Sequence, residues 1–456
     1  MTITKKSLNL TDSSMLIMGS MIGSGIFIVS ADIARIVHTP FLLLLVWVIT
    51  TIMTLFGALS YGEHSASMPN AGGQYIYLRE AYSPLFGFLY GWTVFTIIQT
   101  GTIAAVAVAF AKFTGVFIPF ISPDNKPINL GFIQLSTQQA LGISVIWLLT
   151  FSNFRNVKSG ALVQNIFTIT KISALAVIVI FGLYAGLKGQ GNIENFKHSL
   201  SENAGPVGIG LFLSALVGSL FSADAWNNIT YIAGEVDKPK RNLPLSMLIG
   251  TGSVMLLYFL INVIYLYILP IDKIASAPQD RVGTLLMNTL LGSGGLYFMA
   301  ALIMVSTFGC LNGIILSGAR VYYAMAKDKV FFKSAASLNK NEVPANSLVF
   351  QALWASILVF SGSYGQLLDY VIMAVLIFYI LTVSGLFILR KKRPDMERPY
   401  KTFGYPFVPI IYLILAVAVT ASLLIYKPEY SFKGLGMVLL GIPVYYLTRR
   451  SFSDGK

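Results

Sequence analysis

The sequence predicts an all-α membrane protein with twelve transmembrane helices, two of them interrupted near mid-bilayer. Three observations carry this. Apolar residues make up 55% of the 456-residue chain and charged residues only 11%, with a mean hydropathy of +0.72, whereas a typical soluble protein carries about 25% charge. Twelve apolar stretches approach the roughly 20 residues a helix needs to cross a bilayer. Two of these, the first and the sixth, hold glycine or polar residues where an intact membrane helix would not. Length alone would suggest about three soluble domains, at roughly 150 residues each, but so little charge cannot clothe a globular surface. A disordered chain and a disulfide scaffold are excluded, the latter by a single cysteine.

The stretches fall near 12–36, 40–62, 84–111, 139–153, 161–186, 207–232, 244–269, 285–319, 346–361, 366–389, 406–426 and 434–448. The first follows Lys5 and Lys6 and outruns a signal peptide without a small-residue cleavage site, so it counts as span 1. With the N-terminus inside, the cytoplasmic segments hold 22 of the 32 Lys and Arg residues, the outer loops hold nine, and Lys171 sits inside span 5. That bias places both termini in the cytoplasm of a cell-membrane protein. The net charge of +13 therefore marks inner-face anchoring beside anionic lipid, as at Arg390-Lys391-Lys392-Arg393, and not nucleic-acid binding.

Span 1 reads Met18-Gly19-Ser20-Met21-Ile22-Gly23-Ser24-Gly25-Ile26-Phe27. Gly19 and Gly23 alone would suit close helix packing. The sharper reading is an unwound segment whose second half-helix starts at Ser24 to Ile26. Span 6 favours the latter, because its Phe221-Ser222-Ala223-Asp224-Ala225-Trp226-Asn227-Asn228 run puts a carboxylate and two amides between apolar flanks. An acid at that depth costs about 2.5–3.5 kcal/mol and is tolerated where the backbone breaks and lines a cavity.

Spans 1 and 6 lie five apart and so cross in opposite directions, the pattern of an inverted-repeat transporter with a midplane site. A half-helix start carries about +0.5 charge and its end about −0.5. Amides at Ser24, Gly25 and Ile26 suit a carboxylate; carbonyls near Met21 and Phe221 suit an ammonium. An α-amino acid presents both groups and is the candidate substrate. Lys171 lies about 16 Å from the cytoplasmic end of span 5 at 1.5 Å per residue, too deep for its amine to reach the headgroups. It is either a structural cation, paired with Asp224 or with backbone carbonyls, or a functional one that makes a proton the candidate coupling ion.

These residues resemble the L-type amino acid transporter branch of the amino acid–polyamine–organocation superfamily. The resemblance covers nearly the whole chain. It rests on Gly23-Ser24-Gly25-Ile26-Phe27, on Phe221 to Asn228 continuing through Glu235 to Arg241-Asn242-Leu243-Pro244, and on Ser60-Tyr61-Gly62-Glu63 with Pro69-Asn70-Ala71-Gly72-Gly73-Gln74-Tyr75 and Leu78-Arg79-Glu80. Asn312-Gly313 with Ala319-Arg320, and Arg393-Pro394-Asp395 with Arg398-Pro399-Tyr400, complete it.

The resemblance implies the five-plus-five inverted repeat of the bacterial leucine transporter: residues 12–186 as the first repeat, 207–389 as the second, and 406–448 as two appended spans. It implies that Ser24, Gly25 and Ile26 hold the substrate carboxylate. Met21, Phe221 and Asp224 would hold the amino group, Phe221 would act as the outer gate, and Asn227 would face the substrate. Lys171 would stand in for a sodium ion. The expectation is a sodium-independent carrier of neutral L-amino acids working by alternating access, as an exchanger or proton-coupled, with no cofactor or metal. Two departures stand out. Ala225 occupies a position where relatives usually carry glycine, so its methyl shrinks the pocket. Residues 112–138 contain no cysteine, so no disulfide-linked heavy-chain subunit is expected.

The alternative reading is a transporter of cationic amino acids or polyamines, with Asp224 as counter-ion. A membrane enzyme is disfavoured because no span holds two acids or an acid–histidine pair at helical spacing, and a nutrient sensor because no large output domain is present. Gln99 reads as helix glue; Thr100, Ser306, Thr307 and Asn312 are further polar positions. Asp369 reads as complementing a helix dipole. His38, His64 and His198 need no role, and Tyr75, Tyr77, Tyr82 and Trp92 read as an interfacial belt.

Overall fold

A computed structural model describes residues 8–70, 72–129, 134–154, 158–197, 199–200, 207–341, 343–361 and 364–453. Lys5, Lys6, Ala71 and His198 lie outside the described residues. The Asn9 side chain accepts a bond from the Asp12 amide at 2.9 Å, and the Asp12 carboxylate accepts one from the Asn9 amide at 3.2 Å. This reciprocal cap starts helix α1, Leu10–Met21, which stops at mid-span. A 3-10 turn, Gly25–Phe27, leads into α2, Val29–Val37. Neither helix is long enough to cross a bilayer alone.

Proline at the first helical position and the Thr39 cap start α3, Pro40–Ser67. Helix α4, Gln74–Ala81, follows on the same face. The next span joins α5, Pro84–Thr93, to α6, Gln99–Thr114, through a π-helical turn at Val94–Ile98. A small hairpin pairs β1, Ile128–Asn129, with β2, Gln134–Leu135. Helices α7, Thr137–Ser152, and α8, Lys158–Leu187, come next.

Helix α9, Ile209–Ser222, ends abruptly, and a 3-10 stretch, Trp226–Glu235, carries the span onward. Then come α10, Pro239–Ile268, the short α11, Ile271–Ala275, and α12, Val282–Lys327. Gly292 interrupts α12 at φ 67°, ψ −157°, a backbone readily open only to glycine. The chain finishes with α13, Ala345–Ser361, α14, Tyr364–Lys392, α15, Phe407–Tyr426, and α16, Pro428–Ser453.

The chain is thus an all-helical, multi-pass membrane protein. Among the described residues eight helices are long and apolar enough to cross a membrane, and Ala345–Phe360 is a shorter apolar one. The two-part first span, the 16-residue α7 and the polar-ended α16 fall short of that length or apolarity. Each predicted stretch carries a helix, several longer than expected because the helix continues past the apolar stretch: α12 runs two turns beyond residue 319, adding Arg320 and Lys327.

The two faces differ. On one, a funnel of about 780 Å³ is walled by residues of α2, of the hairpin loop and of α14 and α16, with Ile28, Val29, Val217 and Gly218 also lining it. On the other, the face that carries the N-terminus of α1, ion pairs draw the helix ends together. Glu63 is held by Arg390 at 2.6 Å and Arg398 at 3.4 Å, Arg79 meets Asp328 at 2.7 Å, Glu80 meets Arg393 at 2.6 Å, and Arg320 meets Glu235 at 3.0 Å. Burial on its own would raise the pKa of Glu80, but the Arg393 hydrogen bond and charge, joined by Arg79, outweigh it and hold the carboxyl below its ordinary range.

Candidate functional site

The first interruption exposes both kinds of helix end. The Ile22 amide still bonds back to Met18, and the Phe27 and Ile28 amides bond to Ser24 and Gly25. Among the described residues the amides of Gly23, Gly25 and Ile26 find no backbone acceptor. The carbonyls left over at the end of α1 are each met by a side chain. Gly19 accepts from the Lys171 ammonium at 2.5 Å, Ser20 from the Cys310 thiol at 3.4 Å, and Met21 from the Tyr258 hydroxyl at 3.0 Å.

The second interruption is packed directly on the first. A Cβ placed on Gly25 would lie 2.1 Å from Ser222 Oγ and 3.0 Å from Ser222 Cα, so only glycine permits this approach. Ser222 itself donates to the Gly218 carbonyl at 2.8 Å. Beyond it the Asp224 amide donates to the Phe221 carbonyl at 3.2 Å. The Met21 carbonyl thus meets the Tyr258 hydroxyl, and the Phe221 carbonyl faces the amides of Ala223 and Asp224.

Ala225 takes φ 69°, ψ 4°, a left-handed conformation that costs a residue with a Cβ about 1–2 kcal/mol. The strain turns Asp224 inward. Its Oδ1 accepts from the Tyr379 hydroxyl at 2.6 Å, and the Trp226 ring lies against Tyr61 and Tyr379 with centroids 4.8 and 5.4 Å away. Asn227 is buried, its amide donating to Gln74 at 3.2 Å, and Gln74 in turn donates to Thr382 at 2.9 Å.

A small cavity of about 20 Å³ lies here, lined among others by Asp224, Ala225, Asn227, Gln99, Tyr231 and Tyr379. Phe221, 8% exposed, lies in the last turn of α9, one helical turn past Val217 and Gly218 of the funnel lining. Of the residues singled out from the sequence, Asp224, Ala225 and Asn227 line the cavity; Met21, Ser24, Gly25 and Ile26 belong to the neighbouring span-1 break.

Lys171 is fully buried. Of the two partners considered for it, the backbone carbonyl is the one found: its Nζ reaches Gly19, while Asp224 pairs with Tyr379. Gln99 glues α6 to α12, donating to Ile314 at 2.7 Å and Ser317 at 3.3 Å, and it lines the cavity as well. Asn312 accepts from Asn153 at 2.8 Å. Among the described residues no three His, Cys, Asp or Glu side chains gather as a metal site.

Two expectations need correction. Tyr75 and Tyr77 are buried and take no part in an interfacial belt. Tyr77 is 1% exposed and stacks on a buried His64, whose Nε2 lies 2.9 Å from the Thr382 carbonyl. Tyr75 donates to Asp328, Tyr82 to Leu381 and Trp92 to Met437. Asp369 does more than face a helix dipole, for Lys427 binds it at 2.8 Å across the funnel wall. Tyr379, Tyr258 and Gln74 were not singled out from the sequence at all in this role, because each sits in an ordinary helix and acquires its partner only by folding.

The amino acid permease family matches residues 8–444. The chain is 29% identical over 454 residues to the b(0,+)-type amino acid transporter 1 of Mus musculus, covering 98% of this chain and 88% of the relative. The corresponding protein of Homo sapiens matches at 29% over 450 residues, with the same coverage. The large neutral amino acids transporter small subunit 2 of Mus musculus matches at 30% over 449 residues, covering 97% of this chain and 81% of the relative. A match across almost the full length, to transporters and not to enzymes, accords with two interrupted helices that meet around a polar cavity: the chain belongs to the amino acid permease family of membrane transporters.

Proposed function

We propose that the protein is a sodium-independent secondary transporter of neutral L-amino acids. It works by alternating access, as an exchanger or coupled to a proton, in the cell membrane with both termini in the cytoplasm. The contact of Gly25 with Ser222 carries this reading, because it brings the half-helix start of span 1 against the half-helix end of span 6. The Ser24, Gly25 and Ile26 amides take the carboxylate. The Met21 and Phe221 carbonyls, with Asp224, take the ammonium. Lys171 occupies with its ammonium the position a sodium ion would fill. The architecture is read as twelve spans in a five-plus-five inverted repeat with two spans appended.

With the positive-inside orientation, the funnel opens outward and the ion-paired face is the closed cytoplasmic gate. Phe221 closes over the cavity when the outer side shuts. No heavy-chain subunit is disulfide-linked, since residues 112–138 offer no cysteine. The reading is tested by counterflow in proteoliposomes with the twenty amino acids, with and without sodium, at two pH values. Exchange of neutral amino acids unaffected by sodium supports it; dependence on sodium removes Lys171 from its assigned role. A cationic or polyamine substrate is the second reading, kept because Asp224 meets a phenol and not a cation. Stronger competition by arginine or putrescine than by alanine would favour it.

A further inference from the structure

The cavity beside Asp224 has a chemistry of its own. Most donors around it are already committed. Gln99 spends its amide N–H groups on Ile314 and Ser317, Asn227 donates to Gln74, and Thr102 donates to its own helix at Ile98. Gln99 therefore turns its carbonyl oxygen toward a guest, and Asn227 adds a carbonyl oxygen beside the N–H that Gln74 does not take. Asp224 adds Oδ2, because Oδ1 is taken by Tyr379. Tyr90 and Tyr231, both lining the cavity, bond to each other. That contact uses one of the two phenol protons and leaves the pair one to donate. The wall thus offers several acceptors together with phenol and amide donors, Asn228 among them, within one small space.

We propose that this cavity is the side-chain subsite and that it selects small neutral amino acids bearing a hydroxyl, serine and threonine. The inference rests on the amino acid transport reading above and narrows its substrate. A hydroxyl is the one small group that both donates to a carboxylate and accepts from a phenol. The cavity, at about 20 Å³, is of the size that holds about one water molecule, which is also the size of a hydroxyl. An isobutyl group or a ring is larger than the space and would strip the carboxylate and amides of water without replacing a bond. A lysine or arginine side chain is longer than the space and has no acceptor to give the phenol pair. Ala225, held in the left-handed region, adds its methyl to the cavity lining and so takes room a glycine would leave.

The test uses the purified full-length protein in proteoliposomes, loaded with serine, measuring exchange against a panel of external amino acids. Threonine and valine form the decisive pair, since they differ only by a hydroxyl in place of a methyl. Serine and threonine should exchange, and valine should compete at least about tenfold more weakly, in keeping with sites built to bond a hydroxyl. Valine or leucine matching threonine would overturn the proposal while leaving amino acid transport intact. Lysine outcompeting serine would overturn it in favour of a charge-reading subsite. Failure of every amino acid to exchange would overturn both this proposal and the transport reading beneath it. In a second arm, Gln99→Met should bring the threonine-to-valine ratio down by about fivefold; an unchanged ratio in a variant that elutes as a folded species overturns the subsite.

Discussion

The ammonium of Lys171 in α8 lies 2.5 Å from the carbonyl oxygen of Gly19 in the last turn of α1. The bond is fully buried and joins the two helices at the point where span 1 unwinds. A lysine inside a membrane span is thereby explained without a carboxylate: its counterpart is the negative end of a half-helix.

Lys171→Ala should cut exchange by at least tenfold while the protein still elutes as a single folded species. Losing the donor leaves a buried carbonyl unmatched, at a cost of about 1–3 kcal/mol, which loosens the α1 end but not the bundle. Uptake equal to wild type at several pH values would remove the lysine from the mechanism.

Gly25→Ala should abolish substrate-induced thermal stabilisation, because the new methyl would stand 2.1 Å from Ser222 Oγ. Pairing it with Ser222→Gly removes that atom and should restore part of the binding. Full binding by the single variant would mean the two breaks are not held in contact.

Ala225→Gly should raise thermal stability by about 1 kcal/mol, since glycine adopts the left-handed backbone without strain. It also deletes a methyl from the cavity wall. Competition assays should show larger neutral amino acids gaining several-fold in apparent affinity, and a loss of stability would contradict the strain.

Glu80 offers a pH signature. Its folded-state pKa lies below the ordinary value of about 4.3, because Arg393 and Arg79 prevail over burial. Its contribution is therefore present above the unfolded-state pKa and lost as pH falls through the folded one. The pair is partly exposed, so the contribution is at most about 1 kcal/mol. Melting curves from pH 7 to pH 3 should fall at the acid end in wild type, and Glu80→Gln should show a smaller fall. Identical acid limbs would show that the pair adds nothing.

The interruptions were legible because glycine pairs and the Asp224-to-Asn228 run break a rule that membrane helices otherwise obey. Lys171 announced itself in the same way, as a charge at forbidden depth. Its partner was not legible, since a backbone carbonyl leaves no trace in side-chain spacing. The same holds for Tyr379, whose hydroxyl finds Asp224 across 155 positions. Tyr77 misled because aromatic residues near span ends usually mark the headgroup level; here α4 folds back against α14 and buries it. Asp369 was legible by position as a helix-start acid, but Lys427 lies beyond another whole span.

Because Ser222 fills the place where a side chain on residue 25 would be, the middles of spans 1 and 6 are interlocked like a tooth in a notch. Close-packed atoms do not slide through one another. As long as that grip holds, the two segments can swing only as a single lever, with any bending left to their distal halves.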